Sequence, residues 1–215
     1  MLDENVIIEL VERKVISDTF RRLMPEKKLQ IYRAATHLFG TYGYDGLSVD
    51  RICREAGISK GSFFQYFESK SYLLEFTILI FDDDLAKWVE ELRRNETVAL
   101  ARNRLAYLYD ALVVNAKIHT SEQRFFLFVT HGLDHAGVVL EGVNLERHFR
   151  TYIDEIVTRG VETGEIRGDV EVDLTGYLVS MLIESLLHRQ FSGRFLPRRR
   201  TEEYLISFLF DGIKA

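Results

Sequence analysis

Residues Leu47 to Leu74, LSVDRICREAGISKGSFFQYFESKSYLL, constrain the fold more than any other stretch of this chain. Val49, Ile52, Cys53 and Ala56 recur at helical spacing, which gives the first helix of the stretch one apolar side. Gly57 supplies the left-handed position that ends it, and Ile58 plugs the core at the corner. Ser59 stands where an N-cap belongs and opens a second helix through Lys60, Gly61, Ser62, Phe63, Phe64, Gln65, Tyr66 and Phe67. A third helix starts directly behind. This is the layout of a helix-turn-helix, whose second helix offers its N-terminal residues to the DNA major groove. An ordinary helical hairpin fits the same pattern, so the flanks have to decide.

Upstream, KKLQIYRAATHLFGTYGYDGLSV places Ile31, Ala34, Ala35, Leu38, Phe39 and Tyr42 on one helical face. Gly43 stops that helix, and Tyr44 to Gly46 turn the chain into Ser48. Downstream, Phe67-Glu68-Ser69-Lys70 leads into a long apolar helix beginning near Ser71. The whole closely resembles the N-terminal domain of TetR-family transcriptional regulators. That pattern has an alanine pair and Leu-Phe, then Gly-Tyr, an isoleucine, Ala-Gly-Ile-Ser-Lys-Gly, an aromatic pair around a tyrosine, and Phe-x-x-Lys. The resemblance runs without a gap over Lys28 to Leu74, and beyond Leu74 it rests on helical architecture and length.

The resemblance implies an all-α fold with an N-terminal three-helix DNA-binding domain over residues 25–72. A larger helical domain over 73–215 would bind a ligand and dimerise. Residues 1–24 form an extension beyond the usual family start. There Val6, Ile7, Leu10, Val11 and Phe20 can line a helical stripe, and Pro25 suits the first turn of the next helix. Later periodic stretches predict helices over Tyr72 to Arg94, Thr97 to His119, Glu122 to Val139, Leu145 to Glu162, Asp173 to Phe191 and Thr201 to Ile213.

Charge narrows the partners. The net charge is −5, but residues 1–75 carry 11 basic and 11 acidic groups, whereas residues 76–215 carry 17 and 22. The reading end is therefore neutral and the remainder acidic, so affinity for phosphate must come from a few placed groups and from doubling in a dimer. No apolar run reaches a membrane span, and the acidic start lacks the layout of a signal peptide. The only cysteine, Cys53, faces inward, which leaves no disulfide within one chain and suits a cytoplasmic location. No phosphate loop, nucleophile elbow, zinc-protease motif or dinucleotide fingerprint occurs, so an enzyme is not expected. No cofactor or metal is expected either.

Within the motif, Ser48 reads as an N-cap whose hydroxyl can also face phosphate, and Arg51 projects toward phosphate or solvent. Lys60, Gly61 and Ser62 open the second helix, where the dipole and free amides favour an anion and Gly61 permits close approach. Gln65 can pair with adenine, Lys60 can reach guanine acceptors, and Tyr66 offers a hydroxyl to phosphate and a ring to a thymine methyl. By resemblance Ser48, Arg51, Ser59, Lys60, Gly61, Ser62, Phe64, Gln65, Tyr66 and Lys70 bind DNA, with Lys70 matching the family's phosphate-binding lysine. Two positions depart from the pattern. Phe64 stands where tyrosine is usual and Val49 where threonine is common, each removing a neutral hydrogen bond of roughly 0.5–1.5 kcal/mol.

For the C-terminal region the resemblance implies a homodimer, a palindromic double-stranded operator, and repression released by a small apolar or aromatic effector. Leu174, Tyr177, Leu178, Met181, Leu182, Ser185 and Leu186 form one candidate interface strip, and Tyr204, Leu205, Phe208 and Leu209 a second. The same strips could be intrachain core, which periodicity does not separate. Tyr109, Phe128, His131 and Met181 are the candidate effector residues, and glycines at 132, 137 and 142 permit a bend beside a cavity. His131 and His135 have metal-compatible spacing but no catalytic glutamate beside the first histidine, and packing or a solvent-facing position explains them as well. Glu184 and His188, one turn apart, read either as a polar anchor for a ligand or as a pair at the dimer seam. The basic run 194–200, RFLPRRR, could meet phosphate but reads rather as a solvated loop or as one facing acidic residues of a partner subunit. An alternative function is a DNA-bound structural or assembly factor without effector control.

Overall fold

A computed structural model describes residues 2–133, 145–191 and 198–213. Every regular element among them is a helix, as the 3.6-residue periodicities predicted, and none is a strand. The chain divides into two compact units. The first comprises Met1–Asp84 with His119–Leu145, the second Leu85–Ile118 with Glu146–Ala215. The expected boundary at residue 72 follows the motif's end; the packing boundary falls twelve residues later and brings a later helix into the first unit. No described helix is long and apolar enough to cross a membrane.

In the first unit the extension folds into α1 (Glu4–Glu12) and α2 (Asp18–Arg21), started by the capping side chains of Asp3 and Ser17. α3 (Pro25–Tyr42) begins on its proline and ends at Gly43. α4 (Val49–Ala56), α5 (Lys60–Tyr66) and the first part of α6 (Lys70–Asn95) follow, with α8 (Thr120–His131) packed along α3. α3 and α8 meet at Gly40, where a Cβ would lie 2.7 Å from the Phe125 nitrogen, so only glycine lets the two backbones come this close. Phe39 and Phe128 stack across the same seam with centroids 6.3 Å apart.

An aromatic cluster fills the middle of this unit. Phe20 lies 5.1 Å from Phe67 and 5.0 Å from Phe76, and Phe63 lies 5.7 Å from Phe67, all in tilted or edge-on geometry. Ile7, Leu10, Val15 and Ile16 of the extension are buried as well. The hydroxyls of buried Thr36 and Thr77 donate to the carbonyls one turn back, which satisfies them without outside partners.

The second unit holds the remainder of α6 with α7 (Ala101–Ile118), α9 (Glu146–Glu162), α10 (Val172–Phe191) and α11 (Arg198–Ile213). Leu105, Leu108, Tyr152, Ile156, Val179, Ile183 and Leu209 share its core. Tyr152 donates its hydroxyl to Glu96, which also pairs with Arg104; burial and this carboxylate together push the phenol well above its ordinary range.

α11 corrects the sequence reading of its apolar strip, whereas the strip read on α10 lies exposed or half-buried. On α11, Leu205 and Leu209 point into the core while Tyr204 and Phe208 stand about 70% exposed. On α10, Val179 and Ile183 face inward and Leu174, Tyr177, Leu178 and Met181 outward. On α11 the apolar residues from 204 to 210 crowd more than one face, so periodicity merged two faces that packing separates.

Candidate nucleic-acid interface

The local signals of the motif appear as backbone geometry. The Ser48 hydroxyl caps α4 by accepting from the Arg51 amide at 3.3 Å. Gly57 ends α4 in the left-handed region (φ 58°, ψ 44°), and the Ile58 amide reaches back to the Cys53 carbonyl at 2.9 Å. Ser59 caps α5, accepting from the Ser62 amide at 2.9 Å and sharing a 2.8 Å hydroxyl contact with the Ser62 side chain. Cys53 is buried between the two helices, where desolvation and then the Asp50 carboxylate push its thiol up, keeping it a small apolar filler.

Lys27, near the start of α3, holds this turn from outside. Its ammonium donates to the carbonyls of Ala56 and Gly57 at 3.2 and 2.9 Å and to Gln30 at 3.2 Å. Those carbonyls belong to the end of α4, where backbone acceptors lack helical partners. Nothing in the local sequence announces this role, because the acceptors lie some thirty positions away.

On α5 only Phe63 is fully buried. Lys60, Gly61, Phe64 and Gln65 are exposed, and at 100° per residue they span an arc of roughly 140° on one side of the helix. A Cβ on Gly61 would meet nothing nearer than the Ser59 hydroxyl at 3.7 Å. The chain's own packing therefore does not require glycine there, and its small size leaves the surface open to close approach. Lys60 is held by Asp50 at 2.9 Å across the two helices. Tyr66 is partly buried, its ring edge-on to Phe20 at 5.9 Å.

Two basic groups border this face. The Arg51 guanidinium lies over the Tyr42 ring, its central carbon 3.6 Å from the centroid. Tyr42, read from periodicity as inward, is 41% exposed: it sits in the last turn of α3, where its ring serves as Arg51's platform. Lys70 donates to the carbonyls of Tyr44 and Leu47 at 2.7 and 2.9 Å, and burial lowers its affinity for the proton. An ammonium has three donors, so one is left beyond these two bonds, with the Tyr44 ring centroid 4.0 Å from the nitrogen.

A family model described as bacterial regulatory proteins, tetR family, matches residues 31–75, which span α3 to the start of α6. Over these residues the chain carries the DNA-binding domain of that family. It is a transcriptional regulator. The HTH-type transcriptional repressor AcnR of Corynebacterium jeikeium is 26% identical over 87% of this chain and 89% of that one. The fatty acid metabolism regulator protein of Bacillus subtilis is 24% identical over 71% of this chain and 77% of that one. In three dimensions the fold is shared with the Bacillus subtilis regulator FadR, solved in complex with stearoyl-CoA (TM-score 0.64, 20% identity, 86% and 99% of the chains covered). FadR from Bacillus halodurans gives a TM-score of 0.67 at 16% identity, covering 88% and 96% of the chains.

The four expected effector residues divide between the two units. Phe128 and His131 lie on α8 in the first unit, Tyr109 and Met181 on α7 and α10 in the second. Tyr109 is a buried core residue, and burial followed by the Glu202 and Asp110 carboxylates pushes its phenol up. Met181 is on the outer face of α10. His135, the glycines at 137 and 142, and the basic run from 194 to 197 lie outside the described residues, as do the side chains of 198–200. Among the described residues no three His, Cys, Asp or Glu side chains are grouped to hold a metal ion.

Proposed function

We propose that this chain is a repressor that binds a palindromic operator as a homodimer through α4 and α5 and releases it when a small apolar or aromatic molecule binds. The observation that carries the DNA-binding part is the exposed arc of Lys60, Gly61, Phe64 and Gln65, presented on a doubly capped helix-turn-helix. In this reading Lys60, Ser62, Gln65 and Tyr66 make base or near-base contacts, while Ser48, Ser59, Arg51 and Lys70 set the backbone register, and Phe64 packs against sugar or thymine methyl. The outward strips of α10 and α11 supply the dimer contact, in the manner of a four-helix interface. Selection of bound duplexes from a random pool tests the reading, with a palindrome as the expected product.

Two substitutions then separate the roles. Gln65→Ala should relax preference at one position of each half-site by about 1–3 kcal/mol while leaving random DNA unaffected. Lys70→Ala should weaken binding to all sequences alike and flatten its salt dependence. Equal loss on specific and random DNA for both variants would reverse the assignment.

Control by ligand is supported by the repressor and fatty-acid regulator relatives, and by the FadR neighbour solved in complex with stearoyl-CoA, whose acyl chain is apolar. α6 contributes residues to both units, so a ligand that shifts it changes the spacing of the two reading heads. Typical coupling of about 1–3 kcal/mol lowers operator affinity roughly five- to 150-fold, and operator must weaken the ligand by the same factor. Titrating an effector found by operator release, with and without operator, checks this; identical affinities would exclude control by that molecule.

A further inference from the structure

We infer that the N-terminal extension is part of the reading head, and that Ser17 positions the last turn of α5. This rests on the proposed role of α5 in reading DNA. α5 is only seven residues long, so it has almost no stability of its own. Its final carbonyls have no partner within the helix. The chain then leaves through Phe67 in extended conformation, without a glycine cap to fold those carbonyls back.

The extension supplies what is missing. The Ser17 hydroxyl donates to the Gln65 carbonyl at 2.6 Å, and the Ser17 amide donates to the Tyr66 carbonyl at 3.1 Å. One residue thus satisfies two successive acceptors at the end of α5, from 48 positions away in the chain. Both acceptors belong to residues expected to face the groove. The same hydroxyl accepts from the Phe20 amide at 3.2 Å, capping α2. Phe20 in turn packs edge-on against Tyr66 and tilted against Phe67, at 5.9 and 5.1 Å. Arg13 pairs with Glu75 at 3.3 Å, tying α1's end to α6. The end of α5 is therefore held by the extension, and Gln65 and Tyr66 take their position from it.

Three variants of the full chain test this, because donor and acceptor functions of the hydroxyl can be separated. Threonine keeps both. Aspartate keeps the α2 cap but at neutral pH has no proton to donate to Gln65, and alanine loses both. The readout is the ratio of affinities for the operator selected by the wild type and for a random duplex, at fixed salt. Ser17→Thr should preserve that ratio. Ser17→Ala and Ser17→Asp should each lower it by roughly two- to tenfold, the value of one neutral hydrogen bond. Without DNA, the amides of 63–67 should exchange faster in Ser17→Ala, while those of α4 keep their wild-type rates. An unchanged ratio in Ser17→Ala, unchanged exchange, or rescue by Ser17→Asp would each overturn the inference, the last reducing Ser17 to a cap for α2. A wild-type chain that selects no sequence would instead remove the DNA-reading proposal, and this inference with it.

Discussion

Phe208→Glu and Met181→Glu are each expected to yield a folded monomer whose operator affinity falls by about 10²- to 10⁴-fold, the gain that linking two binding modules supplies. Both side chains stand outward, Phe208 at 69% and Met181 at 49% exposure, so a carboxylate at either position remains in water in the single chain. In the proposed dimer the same carboxylate would be buried without a partner, at a cost of several kcal/mol. The six outward residues Leu174, Tyr177, Leu178, Met181, Tyr204 and Phe208 come from two helices of one unit and supply the apolar surface that the proposed dimer would cover. Sedimentation equilibrium alongside operator binding checks the prediction. Variants that remain dimeric at both positions would move the interface elsewhere.

Phe20→Ala should cost about 3–5 kcal/mol, a large share of the roughly 5–15 kcal/mol that holds a typical domain together. Its ring is fully buried and touches Tyr66, Phe67 and Phe76, so truncation leaves a cavity between the extension, the end of α5 and α6. The rings around it are tilted against one another and cannot all move inward to fill the space. Denaturant unfolding followed by circular dichroism measures the loss. A cost below about 1 kcal/mol would mean the site collapses, and that the extension docks only loosely. Ser17→Ala, which removes hydrogen bonds and no ring, should cost far less stability than Phe20→Ala.

The helix-turn-helix was legible because its signals are local. A serine cap bonds an amide three residues on, and a left-handed glycine is needed where a helix reverses; both are written within a few positions of where they act. Ser48, Gly57 and Ser59 therefore occur in the structure in the roles their neighbours implied. The outward face of α11 was legible only as apolar content. Leu205 and Phe208 are one turn apart and equally hydrophobic, yet one enters the core and the other faces outward.

The sequence by itself determined the all-helical class, the order of the helices around the motif, the caps that begin α4 and α5, and the glycine that ends α4. Tertiary structure alone decided which distant groups complete the reading head. Lys70 reaches carbonyls 26 and 23 positions back, Lys27 reaches 30 forward, and Ser17 reaches 48 forward to the end of α5. Tyr42 leaves the core to lie beneath Arg51, and α8 returns from beyond residue 119 to pack on α3 at Gly40. The physical reason is the same in each case. A backbone carbonyl or a ring face is available at every position in a sequence, and only the folded chain determines which ones lack a partner and what lies near enough to provide one.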